Sequence, residues 1–134
     1  KVELGTSPLE RRIDALNQMA GAGYRTGLLI APVILTESWK RQYLELLDIL
    51  EATLSMQVKR ELGIEVIFMT YSYLHRAINA EAFPNAPGLF DRERMTGRGR
   101  GKYCYRPQIR AEAEEFLRFE IEKRFGSSSI RYMV

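Results

Sequence analysis

An α/β fold with a mostly parallel sheet is what this sequence predicts, and three observations carry the prediction. Two nearly continuous apolar runs, residues 27–35 and 64–69, have the length and composition of strands buried on both faces, as in a parallel sheet. Segments with apolar residues at helical spacing lie before and after each run. Late in the chain, residues 94–105 alternate glycine with cations and then turn aromatic, the pattern of a β-hairpin near the C-terminus.

Val2, Glu3 and Leu4 read as a short strand leading directly into a helix. Ser7-Pro8-Leu9-Glu10 has the form of a capping box, with Ser7 at the N-cap, Pro8 at the first helical position and Glu10 reaching back. Leu9, Ile13, Leu16 and Met19 make the helical stripe, and Gly21 and Gly23 supply the stop. After the first strand, Thr36 is placed to cap a helix with apolar positions at Trp39, Tyr43, Leu46, Leu47, Leu50 and Leu54. The second strand is followed by a shorter helix over 73–80 and a proline–glycine loop over 83–88. A final helix over 107–125 carries Ile109, Ala113, Phe116, Leu117 and Ile121, ends at Gly126 and a serine run, and leaves 129–134 as a last strand. Strand and helix in alternation imply right-handed crossovers, in a doubly wound domain or one arc of a barrel. In either, ligands gather at the carboxyl ends of the strands, here near Ala31-Pro32 and Tyr71-Ser72.

The 134 residues suit a single domain or a fragment of one, and 46% hydrophobic with 28% charged residues is a globular balance. No apolar run reaches the roughly 18 residues of a membrane span, and no secretory-signal series opens the chain. The absence of an initiator Met and the abrupt start suggest a piece of something longer. A single cysteine excludes an internal disulfide framework and fits a reducing compartment. The net charge of +3 is uneven: from Arg92 to Arg106 six cations face only Glu93, a local +5, which leaves −2 for the rest. Local basicity of this kind suits a polyanion.

A phosphate-binding loop needs Gly, four residues, then Gly-Lys-Ser/Thr. Gly101-Lys102 has Thr96 at the first position and Tyr103 after the lysine, so the pattern fails twice. A disordered glycine–arginine tract competes, but it is short and runs straight into the strand-like Lys102-Tyr103-Cys104-Tyr105. A hairpin over 92–106 is the better reading. Its Arg98, Arg100, Lys102, Tyr103 and Arg106 are the candidate DNA-binding residues: cations for phosphate or a base edge, a ring for an unpaired base. The competing reading is a solvated basic turn with no partner. Cys104 reads as a small hydrophobe on a strand. His75 is the only histidine, so no metal site is assigned, and Tyr71, Tyr73 and Trp39 read as core or pocket wall. Glu112, Glu114, Glu115, Glu120 and Glu122 read as a solvated helix surface. No nucleophile–base–acid set stands out, so no catalytic residue is assigned.

Taken together, Gly5-Thr6-Ser7-Pro8-Leu9-Glu10-Arg11-Arg12-Ile13, Ala22-Gly23-Tyr24, Ile30-Ala31-Pro32-Val33-Ile34 and Gly101-Lys102-Tyr103 resemble the C-terminal part of the spore photoproduct lyase family across nearly the whole chain. The resemblance implies the C-terminal part of a partial (β/α) barrel of the TIM type. It implies a radical S-adenosylmethionine enzyme that repairs the thymine dimer called spore photoproduct in double-stranded DNA, in the cytoplasm of the spore core. The family's [4Fe–4S] motif, CxxxCxxC, is not in this sequence, so the piece is expected to bind neither cluster nor S-adenosylmethionine and to be inactive alone. Its implied partners are lesion-bearing DNA and the missing N-terminal half, with self-association as a further option. By the same resemblance Ala31 lines the lesion pocket, and Gly97-Arg98 matches a DNA-inserting hairpin whose wedge tyrosine is replaced here by Gly99. The alternatives are a non-catalytic α/β nucleic-acid-binding module and a protein-interaction domain.

Overall fold

A computed structural model describes residues 5–134, so the strand-like reading of Val2–Leu4 lies outside the described residues. The chain runs α1 (Leu9–Gly21), β1 (Gly27–Val33), α2 (Trp39–Thr53), α3 (Met56–Glu61), β2 (Gly63–Phe68), β3 (Thr70–Ser72), α4 (Tyr73–Ala82), β4 (Met95–Gly99), β5 (Lys102–Tyr105), α5 (Pro107–Phe125) and β6 (Ile130–Met133). β1, β2 and β6 form a parallel sheet in the order β1-β2-β6, and β3, β5 and β4 form a separate antiparallel sheet in the order β3-β5-β4. The α/β class and the parallel sheet are as the sequence predicts; β3 and α3 are additions to it.

The caps differ from expectation. Pro8 occupies the N-cap of α1 without a side-chain bond, so the Ser7 capping box is not formed. At the other end Gly23 takes a φ of 87°. Its N–H donates to the Ala20 carbonyl, and that of Tyr24 donates to Met19. The pair of reverse bonds needs a left-handed residue at that point, which only glycine supplies cheaply. Thr36 does not cap α2 either, because the helix begins three residues later and the Thr36 hydroxyl bonds the Gln42 side chain at 2.9 Å.

One face of the parallel sheet carries the core. Ile30 and Val33 of β1 and Ile64, Val66 and Phe68 of β2 are buried with Leu47 and Leu50 of α2, Val58 of α3 and Ala113, Leu117 and Ile121 of α5. Strand residues alternate, so the opposite face holds Leu29, Glu65 and Tyr132, which stand in one register row across the three strands. Leu29 there is 61% exposed. The strands are therefore buried on one side, not both: no layer of the described chain covers the second. Among the described residues β1 also pairs on one side only.

Side-chain contacts at several points lock α2 onto α5. Trp39 meets Phe116 edge-on at 5.0 Å between centroids. Arg124, its side chain 9% exposed, reaches Asp48 at 2.5 Å and Glu51 at 3.5 Å on α2 while pairing with Glu120 of its own helix. The acids of α5 are thus not all solvated surface, as the sequence suggested. Glu120 belongs to this clamp, and Glu112 binds Lys40 of α2 at 2.6 Å. The hydrogen bond from Lys40 holds the Glu112 carboxyl below its ordinary 4.5.

Candidate nucleic-acid interface

The antiparallel sheet grows out of the parallel one through a single residue. β2 ends at Phe68 and β3 begins at Thr70, with only Met69 between them. Tyr71-Ser72, expected at the carboxyl end of the second parallel strand, therefore belongs to the other sheet. Met69 is buried, and its N–H donates to the Val33 carbonyl at 3.1 Å, tying the change of sheet to the end of β1.

A second tie falls on Leu35, just beyond β1. Its N–H donates to the Tyr105 hydroxyl at 2.8 Å, and its carbonyl accepts from Arg94 Nη1 at 2.6 Å. The Ile34 N–H donates to the Tyr43 hydroxyl at 2.9 Å. Burial pushes the pKa of both tyrosines up against the opposing pull of these backbone bonds, so the hydroxyls stay neutral. The hairpin base is thereby fixed to the segment that follows Ala31.

Across the hairpin sheet Tyr71, Tyr103 and Gly97 are register partners, as are Thr70, Cys104 and Thr96. Alternation gives the sheet one aromatic and one polar face. On the aromatic face Tyr103 meets Tyr73 of α4 at 4.9 Å and Phe90 at 5.2 Å, and Tyr71 meets Phe90 at 5.5 Å. The Tyr73 hydroxyl beside it raises the Tyr103 pKa above 10. On the polar face Thr70, Cys104, Arg98 and Arg110 line a cavity of about 270 Å³ against the end of β2.

The residues singled out in the sequence are therefore divided. Arg98 looks into the polar cavity, on the face opposite Tyr103, which is half-buried among rings. Arg100 is exposed at the turn with φ 53°, between Gly99 at 86° and Gly101 at 69°. Three successive left-handed residues demand glycine where possible, and the arginine there costs about 1 kcal/mol or more. Lys102 is exposed at the start of β5. Arg106 is drawn back to the hairpin base, where Nε donates to the Glu93 carbonyl at 2.7 Å and Nη2 to that of Arg92 at 3.4 Å. Ala31 sits two residues inside β1 rather than at its end, joined by a cis peptide bond to Pro32. It lines a different groove, of about 410 Å³, with Leu9 and Ile13 of α1 and Tyr43 and Leu46 of α2. Among the described residues none lines both cavities; the segment 33–35 runs between them, bonded to Tyr43 of the first and to Met69 and Tyr105 of the second.

Several site residues escape a reading of local pattern. Arg94 and Tyr105 act through the backbone of a residue about sixty to seventy positions away, and Arg110 joins the cavity only once α5 docks. Tyr73, read as core or wall, is 45% exposed. Glu65 accepts a hydrogen bond from the Tyr132 hydroxyl at 2.7 Å on the open sheet face, which raises the tyrosine pKa. Cys104 is half-buried on β5 and is the chain's only cysteine. Among the described residues no three His, Cys, Asp or Glu side chains stand together as a metal site, so these residues do not fit an iron–sulfur cluster.

A family model described as spore photoproduct lyase matches residues 1–134. The spore photoproduct lyase of Bacillus subtilis (strain 168) is 31% identical over 134 residues, covering 97% of this chain and 39% of the relative. That of Clostridium acetobutylicum is 32% identical over 133 residues, covering 96% and 39%. A substituted spore photoproduct lyase with bound AdoMet and dinucleoside spore photoproduct superposes with a TM-score of 0.88 at 29% identity, over 97% of this chain and 39% of that one. Another, complexed with dinucleoside spore photoproduct, gives 0.88 and 29% over 98% and 40%. The chain thus spans about two fifths of the length of the relatives it matches, in their C-terminal portion.

Proposed function

The chain belongs to the spore photoproduct lyase family, and from that premise we propose that it serves as the C-terminal part of a radical S-adenosylmethionine enzyme that repairs the spore photoproduct thymine dimer in DNA. Its three parallel strands form an arc of a partial (β/α) barrel, and β3, β4 and β5 form a DNA-engaging hairpin unit. The observation that carries the reading is the anchoring of the basic hairpin, through Leu35, to the strand that holds Ala31. A lesion lying along that strand would have its flanking phosphates within the field of Arg98, Arg100 and Lys102. Base-directed chemistry needs the target drawn out of the stack and held, and a fixed distance between phosphate grip and pocket supplies that.

The cluster and S-adenosylmethionine supply the radical chemistry in such an enzyme, and the proposal assigns them to a longer polypeptide because the residues here do not fit the cluster. That polypeptide completes the barrel against the edge of β1 that no described strand pairs, an edge a second copy of this chain would otherwise seek. The proposed setting is cytoplasmic, in the spore core. The test is duplex DNA binding across a salt titration. Replacing Arg98 and Arg100 together with alanine is expected to weaken binding and to flatten the log–log salt slope by about two units, from roughly −0.9 per phosphate contact. An unchanged slope overturns the hairpin as the DNA-binding element.

A further inference from the structure

We infer that Tyr73 is a stacking site for an unpaired nucleobase of DNA held at the hairpin, an inference that rests on the nucleic-acid reading above. Of the four rings on the aromatic face, Tyr71, Phe90 and Tyr103 are half-buried and Tyr73 is 45% exposed. Its helix offers no core for the ring to enter, since α4 buries none of its residues.

The ring is nevertheless held in place. The Tyr73 N–H donates to the Gly101 carbonyl in the hairpin turn at 3.2 Å. Ser72 caps α4 by accepting the His75 N–H at 3.3 Å, so Tyr73 stands at a helix start rather than in a loop. Its ring rests against Tyr103 at 4.9 Å and Phe90 at 6.1 Å. An exposed ring already immobilised loses little freedom on binding, which favours a planar ligand.

Charge selects the kind of planar ligand. Arg100 precedes Gly101 in the turn, and Arg76 follows Tyr73 by three residues, on the same side of the helix; both are exposed. Exposed cations on the adjoining turn and helix suit a base whose neighbouring phosphates are anionic, and every base has a face on which to stack. Sequence alone hides this arrangement because Tyr73 and the hairpin turn are nearly thirty residues apart and meet only when β3 pairs with β5.

The experiment uses a duplex with one unpaired 2-aminopurine and the same duplex fully paired, each titrated with the 134-residue chain and with Tyr73→Leu and Tyr73→Phe. Wild type and Tyr73→Phe are expected to quench the unpaired 2-aminopurine. Tyr73→Leu is expected to lose the quenching and about tenfold in affinity for that DNA, within the range for one stacked base, while its affinity for the paired duplex is unchanged. Equal quenching and affinity for Tyr73→Leu and wild type overturn the stacking site and leave the nucleic-acid reading standing. If wild type binds neither DNA, both fall.

Discussion

Removing one oxygen atom should loosen the attachment of the hairpin. In Tyr105→Phe the ring keeps its packing, but the Leu35 N–H loses the hydroxyl that accepts it at 2.8 Å. Both residues are 4% exposed, so water does not readily replace the lost partner. A buried donor left unsatisfied costs about 1–3 kcal/mol; with a short bond at a site this closed, about 2 kcal/mol is expected. For a chain of this length that lowers Tm by about 5–8 °C. Arg94→Met removes the companion bond to the Leu35 carbonyl and, at a half-buried site, should cost about 1 kcal/mol. Because both side chains hold the same residue, the double variant should deviate from additivity by about 0.5 kcal/mol or more. Urea unfolding followed by the fluorescence of Trp39, the only tryptophan, measures all three. A loss below about 0.5 kcal/mol for Tyr105→Phe, with strict additivity in the double variant, would refute the argument.

Three further outcomes are expected. Arg124→Met should destabilise the chain by about 2 kcal/mol, because it leaves Glu120, with a side chain only 12% exposed, without its cation; a loss within error of zero in the same urea assay would mean that α2 and α5 hold without the clamp. Glu65→Gln should bring the Tyr132 pKa down towards 10, since the carboxylate that favours the protonated phenol is gone; ultraviolet titration of the tyrosines reports it, and an unmoved alkaline limb would contradict the pairing. Glu112 has a lowered pKa, so its bond to Lys40 contributes stability at neutral pH that disappears as the pH falls from about 4.5 through the lowered value. In Glu112→Gln the acid side of the stability profile should be shallower over that window, and superimposable profiles would exclude the contribution.

What the sequence made legible is what local chemistry decides. The span 107–125 of α5 follows from Pro107 at the start and Gly126 at the end, and the β4–β5 turn follows from glycines at 99 and 101 that carry positive φ. The apolar runs marked β1 and β2, but their length hid which face is covered, since Leu29 and Ile67 look no different in sequence from Ile30 and Val66. β3 is only three residues long, too short to carry a period, and is defined by its partner β5. Arg106 shows the limit for sites: it belongs to the basic stretch by composition, yet two backbone carbonyls claim its guanidinium. Charge can be counted along a chain, whereas the side of a sheet on which it falls depends on register.

The single residue between β2 and β3 makes the hairpin a lever with a very short fulcrum. Met69 leaves no slack between the two sheets, and its N–H is bound to the end of β1 while Leu35 is gripped by Tyr105 of β5 and by Arg94 just before β4. A force on the Arg100 tip would therefore not dissipate in a loose linker. It would arrive as torque at Val33 and Leu35, at and just beyond the end of the strand that carries Ala31.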